Sequence, residues 1–134
     1  MDIALAIDSS GSVGRRSFQL VKAFLKVLTH HFEVTNTTHF SCLHYDHRVF
    51  KDFEFKDTQY HNHSSLDAKI QSMWYLGGAT LTDHALMVAK TFFFRRNGAR
   101  NKRKVKRALV VLTDGKSYYG APSLVHPTYV LKVP

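Results

Sequence analysis

A single cysteine, Cys42, is all the sequence has, so no disulfide can form within the chain and a disulfide-stapled scaffold is excluded. Cys42 lies in the strand-like stretch Phe40-Ser-Cys-Leu-His-Tyr45 and reads as a small buried hydrophobe rather than a reactive thiol. No stretch approaches the ~18 apolar residues that a membrane-spanning helix needs. The opening Met1-Asp2-Ile3 has neither a basic n-region nor an apolar h-region, so no signal peptide is read. Two origins stay open on that point: a cytosolic protein, or a piece of a longer secreted one. Acidic residues are few, ten against nineteen lysines and arginines, for a formal charge of +9. G-x-S-x-G and G-x-x-x-x-G-K-[ST] are both missing, which removes the nucleophile-elbow hydrolases and the P-loop enzymes. No internal repeat is found.

What is present suits one small α/β domain: 134 residues, 44% of them hydrophobic. Ile3 to Ile7 and Ala108 to Leu112 are wholly apolar, as expected of strands buried on both faces of a sheet. Between them, Phe18, Val21, Leu25, Leu28 and Phe32 recur at helical spacing and predict a helix from Arg15 to Phe32. Thr38–Tyr45 reads as a strand, and Arg48–Phe55 as its antiparallel hairpin partner at an edge. Ser64–Tyr75 is predicted helical, with Leu66, Ile70 and Trp74 on one stripe and Ser64 or Ser65 as cap. Gly77-Gly78 breaks it, and a helix restarts over Thr82–Phe94. Pro122, Pro127 and Pro134 punctuate the stretch from Tyr118, where Tyr129–Val133 is either a short strand or a tail.

The order β, α, β, β, α, α, β implies a layered α/β architecture. Ligands in such sheets bind beyond the carboxyl ends of strands, at the point where connections reverse. With strand order 3-2-1-4, that point lies between the first and fourth strands, and Asp8 faces Asp114 across it. The loop Gly77-Gly-Ala-Thr80 reaches the same end. The candidate set is therefore Asp8, Ser10, Ser12, Thr80 and Asp114. All are hard oxygen donors, which selects Mg²⁺, Mn²⁺ or Ca²⁺ over zinc. The competing account gives Asp8 and the serines only a turn and the cap of the following helix.

The motifs Asp8-Ser-Ser-Gly-Ser12, Gly77-Gly-Ala-Thr80 and Leu112-Thr-Asp114-Gly resemble, in order, the DxSxS, threonine and aspartate motifs of the von Willebrand factor type A domain. "DIALAIDSSGSVG" and "RALVVLTDG" look like the extracellular A domains of collagen type VI chains and matrilins. The resemblance implies a Rossmann-like, doubly wound, mainly parallel sheet with helices on both faces. It also implies a metal-ion-dependent adhesion site. There Ser10 and Ser12 ligate through hydroxyls, Thr80 directly or through water, and Asp8 and Asp114 through bound waters. An acidic residue of a partner, collagen or another matrix protein, takes the open position. Extracellular location is implied by the resemblance alone, whereas a non-enzymatic role is expected from the missing enzyme motifs as well.

The family's sheet has about six strands, and the last two follow the aspartate motif. After Lys116 no helix of useful length is read. The expected organisation is a partial domain over 1–116 and an atypical tail over 117–134, with C-terminal strands and helices missing and the fourth strand left as an exposed edge. A non-functional truncated or splice product is the alternative this raises.

Arg95, Arg96, Arg100, Lys102, Arg103, Lys104, Lys106 and Arg107 form a second candidate, an anion or heparin-like glycan site. No aromatic platform accompanies it, so no specific nucleic-acid role is read, and no membrane role. The nine histidines lack zinc-site spacing. A Mg²⁺-dependent phosphatase of the haloacid dehalogenase kind would need a second aspartate two residues after Asp8, where Ser10 stands.

Overall fold

The computed structural model describes residues 1–96, 98–114 and 128–131. Five strands form one sheet: β1 (Asp2–Asp8), β2 (His39–Tyr45), β3 (Val49–Phe53), β4 (Arg107–Leu112) and β5 (Thr128–Leu131). Their order is β3-β2-β1-β4-β5. β1, β2 and β4 are parallel, and β3 and β5 run antiparallel at the two edges. The wholly apolar strand β1 is central, as its composition requires. Its register sets Asp8 opposite Tyr45 of β2 and Ile7 opposite Leu112 of β4. Thr113 and Asp114 thus emerge from β4 level with Asp8.

Alternation along β1 decides what each face packs. Ile3, Leu5 and Ile7 join Phe18 and Leu25 of α1 (Arg15–His30) and Leu66 and Ile70 of α2 (His63–Ser72) in one core layer. Ala4 and Ala6 face the other way, against Ala85 and Ala89 of α3 (Thr82–Thr91) and Phe93. Small residues on both partners there let helix and sheet approach closely. Helices on both faces of a mostly parallel sheet are the layered α/β architecture that the element order implied, in the doubly wound form that the resemblance implied.

Several local expectations are corrected. The cap of α2 is Asn62, whose side chain accepts from Ser65 N, rather than Ser64 or Ser65. Trp74 is not on the buried stripe of α2; that helix ends at Ser72 and Trp74 is 54% exposed. α3 gives way at Phe92–Arg96 to a wider π turn. β4 is not an edge, because β5 pairs with it from Leu112↔Thr128 to Leu109↔Leu131. The junction expected at 116/117 lies outside the described residues.

The end of α2 is held by a lysine. Lys22 of α1 is only 4% exposed, and its Nζ donates to the carbonyls of Gln71 and Met73, both at 2.9 Å. A cation at a helix C-terminus is favoured by the helix dipole, and it satisfies carbonyls that have no partner within the helix. Burial, aided by nearby Lys26, lowers the Lys22 pKa. Lys22→Ala should destabilise the fold by about 1–3 kcal/mol, the cost of stranding buried acceptors, read as a lowered midpoint in urea. An unchanged midpoint would show that water replaces the ammonium at no cost.

Candidate functional site

The loop after β1 is organised by the carboxylate that precedes it. Asp8 is buried, and its Oδ1 accepts from Ser10 N at 2.9 Å, which turns the chain. Its Oδ2 accepts from the Thr113 hydroxyl at 2.7 Å, tying the end of β1 to the end of β4. Ser9 sits between. Its N–H extends the sheet by donating to Tyr45 O (2.7 Å), and its Oγ accepts from Leu76 N (2.9 Å).

A second loop, between α2 and α3, is stitched to the first through backbone. Gly77 N donates to Ser9 O (2.9 Å) and Gly11 N to Gly78 O (2.8 Å). Such an approach needs bare backbone. A Cβ on Gly11 would stand 2.9 Å from Gly77 O, and one on Gly78 would stand 2.4 Å from Asp46 Oδ2.

The stitching brings three hydroxyls together. Ser10 Oγ and Ser12 Oγ are 3.0 Å apart, and Ser12 Oγ and Thr80 Oγ1 3.3 Å apart. The helix-cap account of these serines fails here. α1 is capped by Gly14, at φ 82°, with no side-chain cap bond. The turn half of that account holds, through Asp8 and Ser10 N. Asp114 lines a cavity of about 510 Å³ together with Asp8 and Ser12. Val13, Leu20, Val21, Phe24 and Leu112 form its apolar wall.

Electrostatically the site is short of positive charge. Burial pushes the Asp8 pKa up, hydrogen bonds from Ser10 and Thr113 pull it partly back, and the Asp114 carboxylate adds repulsion. Burial likewise pushes the Tyr45 phenol up, and Asp8 adds to this. Asp8, Asp114 and Ser12 line the cavity, the Ser10 and Thr80 hydroxyls stand beside Ser12, and among the described residues no cationic side chain lines it, a donor set and charge that suit a hard divalent cation. Among the described residues no cluster of three or more His, Cys, Asp or Glu is arranged to hold a metal.

Sequence reasoning missed Asp46, in the β2–β3 turn. Its Oδ2 accepts from Gly78 N (3.1 Å), its Oδ1 accepts from Arg48 N (2.8 Å), and the Arg48 guanidinium grips both oxygens. Asp46 thereby holds the loop that carries Thr80. The signal was legible as an Asp followed two residues later by an Arg at a tight hairpin. Five of the histidines have structural partners among the described residues. His30 stacks on His63 and His39 on His61, while fully buried His44 bonds Asp52 at 2.8 Å.

The basic residues are far from this site. Arg107 begins β4 and Arg100 bonds Asp2 at the start of β1, so both lie at the opposite end of the sheet from Asp8. Arg95 and Arg96 belong to the turn that closes α3.

The family model of the von Willebrand factor type A domain matches residues 2–132. The chain belongs to that family. It is 33% identical to human integrin alpha-D over 119 residues, covering 88% of this chain and 10% of that protein. It is 31% identical to mouse vitrin (87% and 17% covered) and 33% identical to human collagen alpha-1(XXI) chain (87% and 12% covered). The chain therefore spans a small part of the relatives it matches. Proximal thread matrix protein 1 of the mussel byssus superposes with a TM-score of 0.77 at 26% identity, over 91% of this chain and 32% of that one. Another structure of that mussel protein, with a zinc-occupied MIDAS motif, gives 0.76 at 25% identity, over 91% and 33%. Relatives of this von Willebrand A domain are thus drawn from adhesion and matrix proteins. Among the described residues no helix is long and apolar enough to cross a membrane.

Proposed function

We propose that this von Willebrand A domain is an extracellular, divalent-cation-dependent protein-binding module whose partner is a matrix protein presenting an acidic side chain. Ser10, Ser12 and Thr80 would hold Mg²⁺, or Mn²⁺ or Ca²⁺, through their hydroxyls, with Asp8 and Asp114 balancing its charge through bound waters. The cation would supply an electrophile to which a partner carboxylate binds. The observation that carries this reading is the contact of the Ser12 hydroxyl with those of Ser10 and Thr80, drawn from two loops and not used to cap α1.

The protein's own residues do the positioning. Asp8 fixes the serine loop through Ser10 N, and Gly11 and Gly77 lock that loop to the threonine loop. The relatives carry the likeness to adhesion and matrix proteins, and collagen is the matrix component chosen for the test. The chain is expected to bind a collagen-coated surface in Mg²⁺, to release in EDTA, and to be displaced by a glutamate-bearing collagen peptide but not by its glutamine counterpart. Retention that is equal in Mg²⁺ and EDTA would defeat the reading.

A further inference from the structure

The end of the sheet opposite Asp8 carries a charged turn that the adhesion reading leaves unused. The run Arg95–Arg107 is basic at eight positions, yet its members do different things. Arg100 is an internal staple: its N and Nε donate to buried Asp2 (2.6 and 2.8 Å), and its guanidinium also reaches the carbonyls of Met1, Asn36 and Thr37. Arg107 donates from Nε to Arg100 O at 3.1 Å and lies over the Phe94 ring. These two cations are consumed in holding the loop to the domain.

Between the staples the chain forms a tight turn around Asn101. Its Oδ1 accepts from Arg103 N (2.9 Å), and its carbonyl accepts from Lys104 N (2.9 Å) and Val105 N (3.0 Å). Lys102, Arg103, Lys104 and Lys106 are all exposed on this turn. None of the four is ion-paired among the described residues. The carboxylates of neighbouring loops do not neutralise them. Asp2 is taken by Arg100, Glu54 pairs with Lys56, and Asp57 accepts from Glu54 N; the exposed acids among the described residues are Glu33 and Asp83, the latter at the start of α3. A loop fixed at both ends and braced by its own asparagine holds like charges together before any ligand arrives, which lowers the ordering cost of binding.

We propose that the Asn101–Lys106 turn is a binding site for a sulfated glycan chain. A linear polyanion with closely spaced sulfates suits four cations presented in succession without a pocket. No aromatic side chain stands within the turn to stack a base, which disfavours single-stranded nucleic acid. β1 is seven residues long, so at ~3.3 Å per residue the turn lies roughly 20 Å from Asp8. The domain would then engage a protein at one pole and a glycan at the other, independently.

The test is heparin affinity chromatography and titration across salt concentrations, on the wild type and on the triple variant Lys102→Gln, Arg103→Gln, Lys104→Gln. Wild-type binding should weaken linearly in log–log against salt. The variant should keep the wild-type melting temperature, elute at lower salt and show a slope smaller by about two to three, from three fewer counterions released. EDTA and Ser12→Ala should leave heparin binding unchanged, which separates this site from the cation-dependent one. An unchanged slope in the triple variant would overturn the proposal. So would equal binding of desulfated heparin, or tighter binding of single-stranded DNA than of heparin.

Discussion

Replacing Ser12 by alanine should weaken Mg²⁺ binding by about 10–100-fold, the range seen when even an outer partner of a metal site is removed. The fold should be almost untouched. Ser12 is exposed, and its hydroxyl lies against Ser10 Oγ (3.0 Å) and Thr80 Oγ1 (3.3 Å). Surface changes of this kind stay within about 0.5 kcal/mol. The readout is thermal stability with and without the ion. At a Mg²⁺ concentration of a hundred times Kd, the wild type gains about 2.7 kcal/mol by mass action. With affinity lowered a hundredfold, the variant at that concentration gains only about 0.4 kcal/mol. Ser12→Thr, which keeps a hydroxyl, should recover most of the response. A Ser12→Ala protein that responds to Mg²⁺ like the wild type would remove Ser12 from the site and leave the proposed ligand set without its middle member.

The parts of the fold written as local pattern were legible in the sequence. Ile3–Ile7 and Ala108–Leu112 announced buried strands, and the strand order supposed for them, which sets the two side by side, is the order found. The five candidate ligands could be chosen because each stands at or just past a strand end, or on a glycine-marked loop. The illegible parts depend on contacts between segments distant in sequence. Lys22 looks like any polar residue of an amphipathic helix until α2 ends over its ammonium. Trp74 continues the stripe of Leu66 and Ile70 by spacing, but the chain leaves the helix first, at Met73, and the ring packs edge-on against His44 and Phe50. Asn62 takes the cap because its extended backbone lets its side chain reach back to Ser65 N, a competition between polar neighbours that composition does not rank.

Electrostatics separated the eight basic residues in the same way. In the sequence they form one undivided run; in the fold, Arg100 and Arg107 face inward to Asp2, backbone carbonyls and Phe94. A buried aspartate at the start of β1 is what selects Arg100 for that role. The count of basic residues thus overstated the free charge, while the turn around Asn101 gave what remained a definite shape.

Asp46→Ala should cost more stability than Ser12→Ala, because Asp46 joins the β2–β3 turn to the loop that carries Thr80. It would leave Gly78 N and Arg48 N without their acceptor and release the Arg48 side chain. Two buried or half-buried donors stranded at about 1–3 kcal/mol each predict a loss of about 2–5 kcal/mol. The same substitution frees the loop bearing Thr80, so the Mg²⁺ response should fall with it. Asp46→Asn distinguishes charge from shape, since the amide oxygen still accepts but carries no charge. Burial works to raise the Asp46 pKa, but the hydrogen bonds and charge of Arg48, with His47 beside it, outweigh burial and hold it below the ordinary carboxylate value. A depressed folded-state pKa contributes stability that is present above the unfolded value, near pH 4, and is lost as pH falls through the folded value. Wild-type stability should therefore decline below about pH 4, and that part of the decline should vanish in Asp46→Asn. Parallel stability–pH curves for the two proteins would show that the ion pair with Arg48 adds nothing, and that Asp46 holds the threonine loop by hydrogen bonding alone.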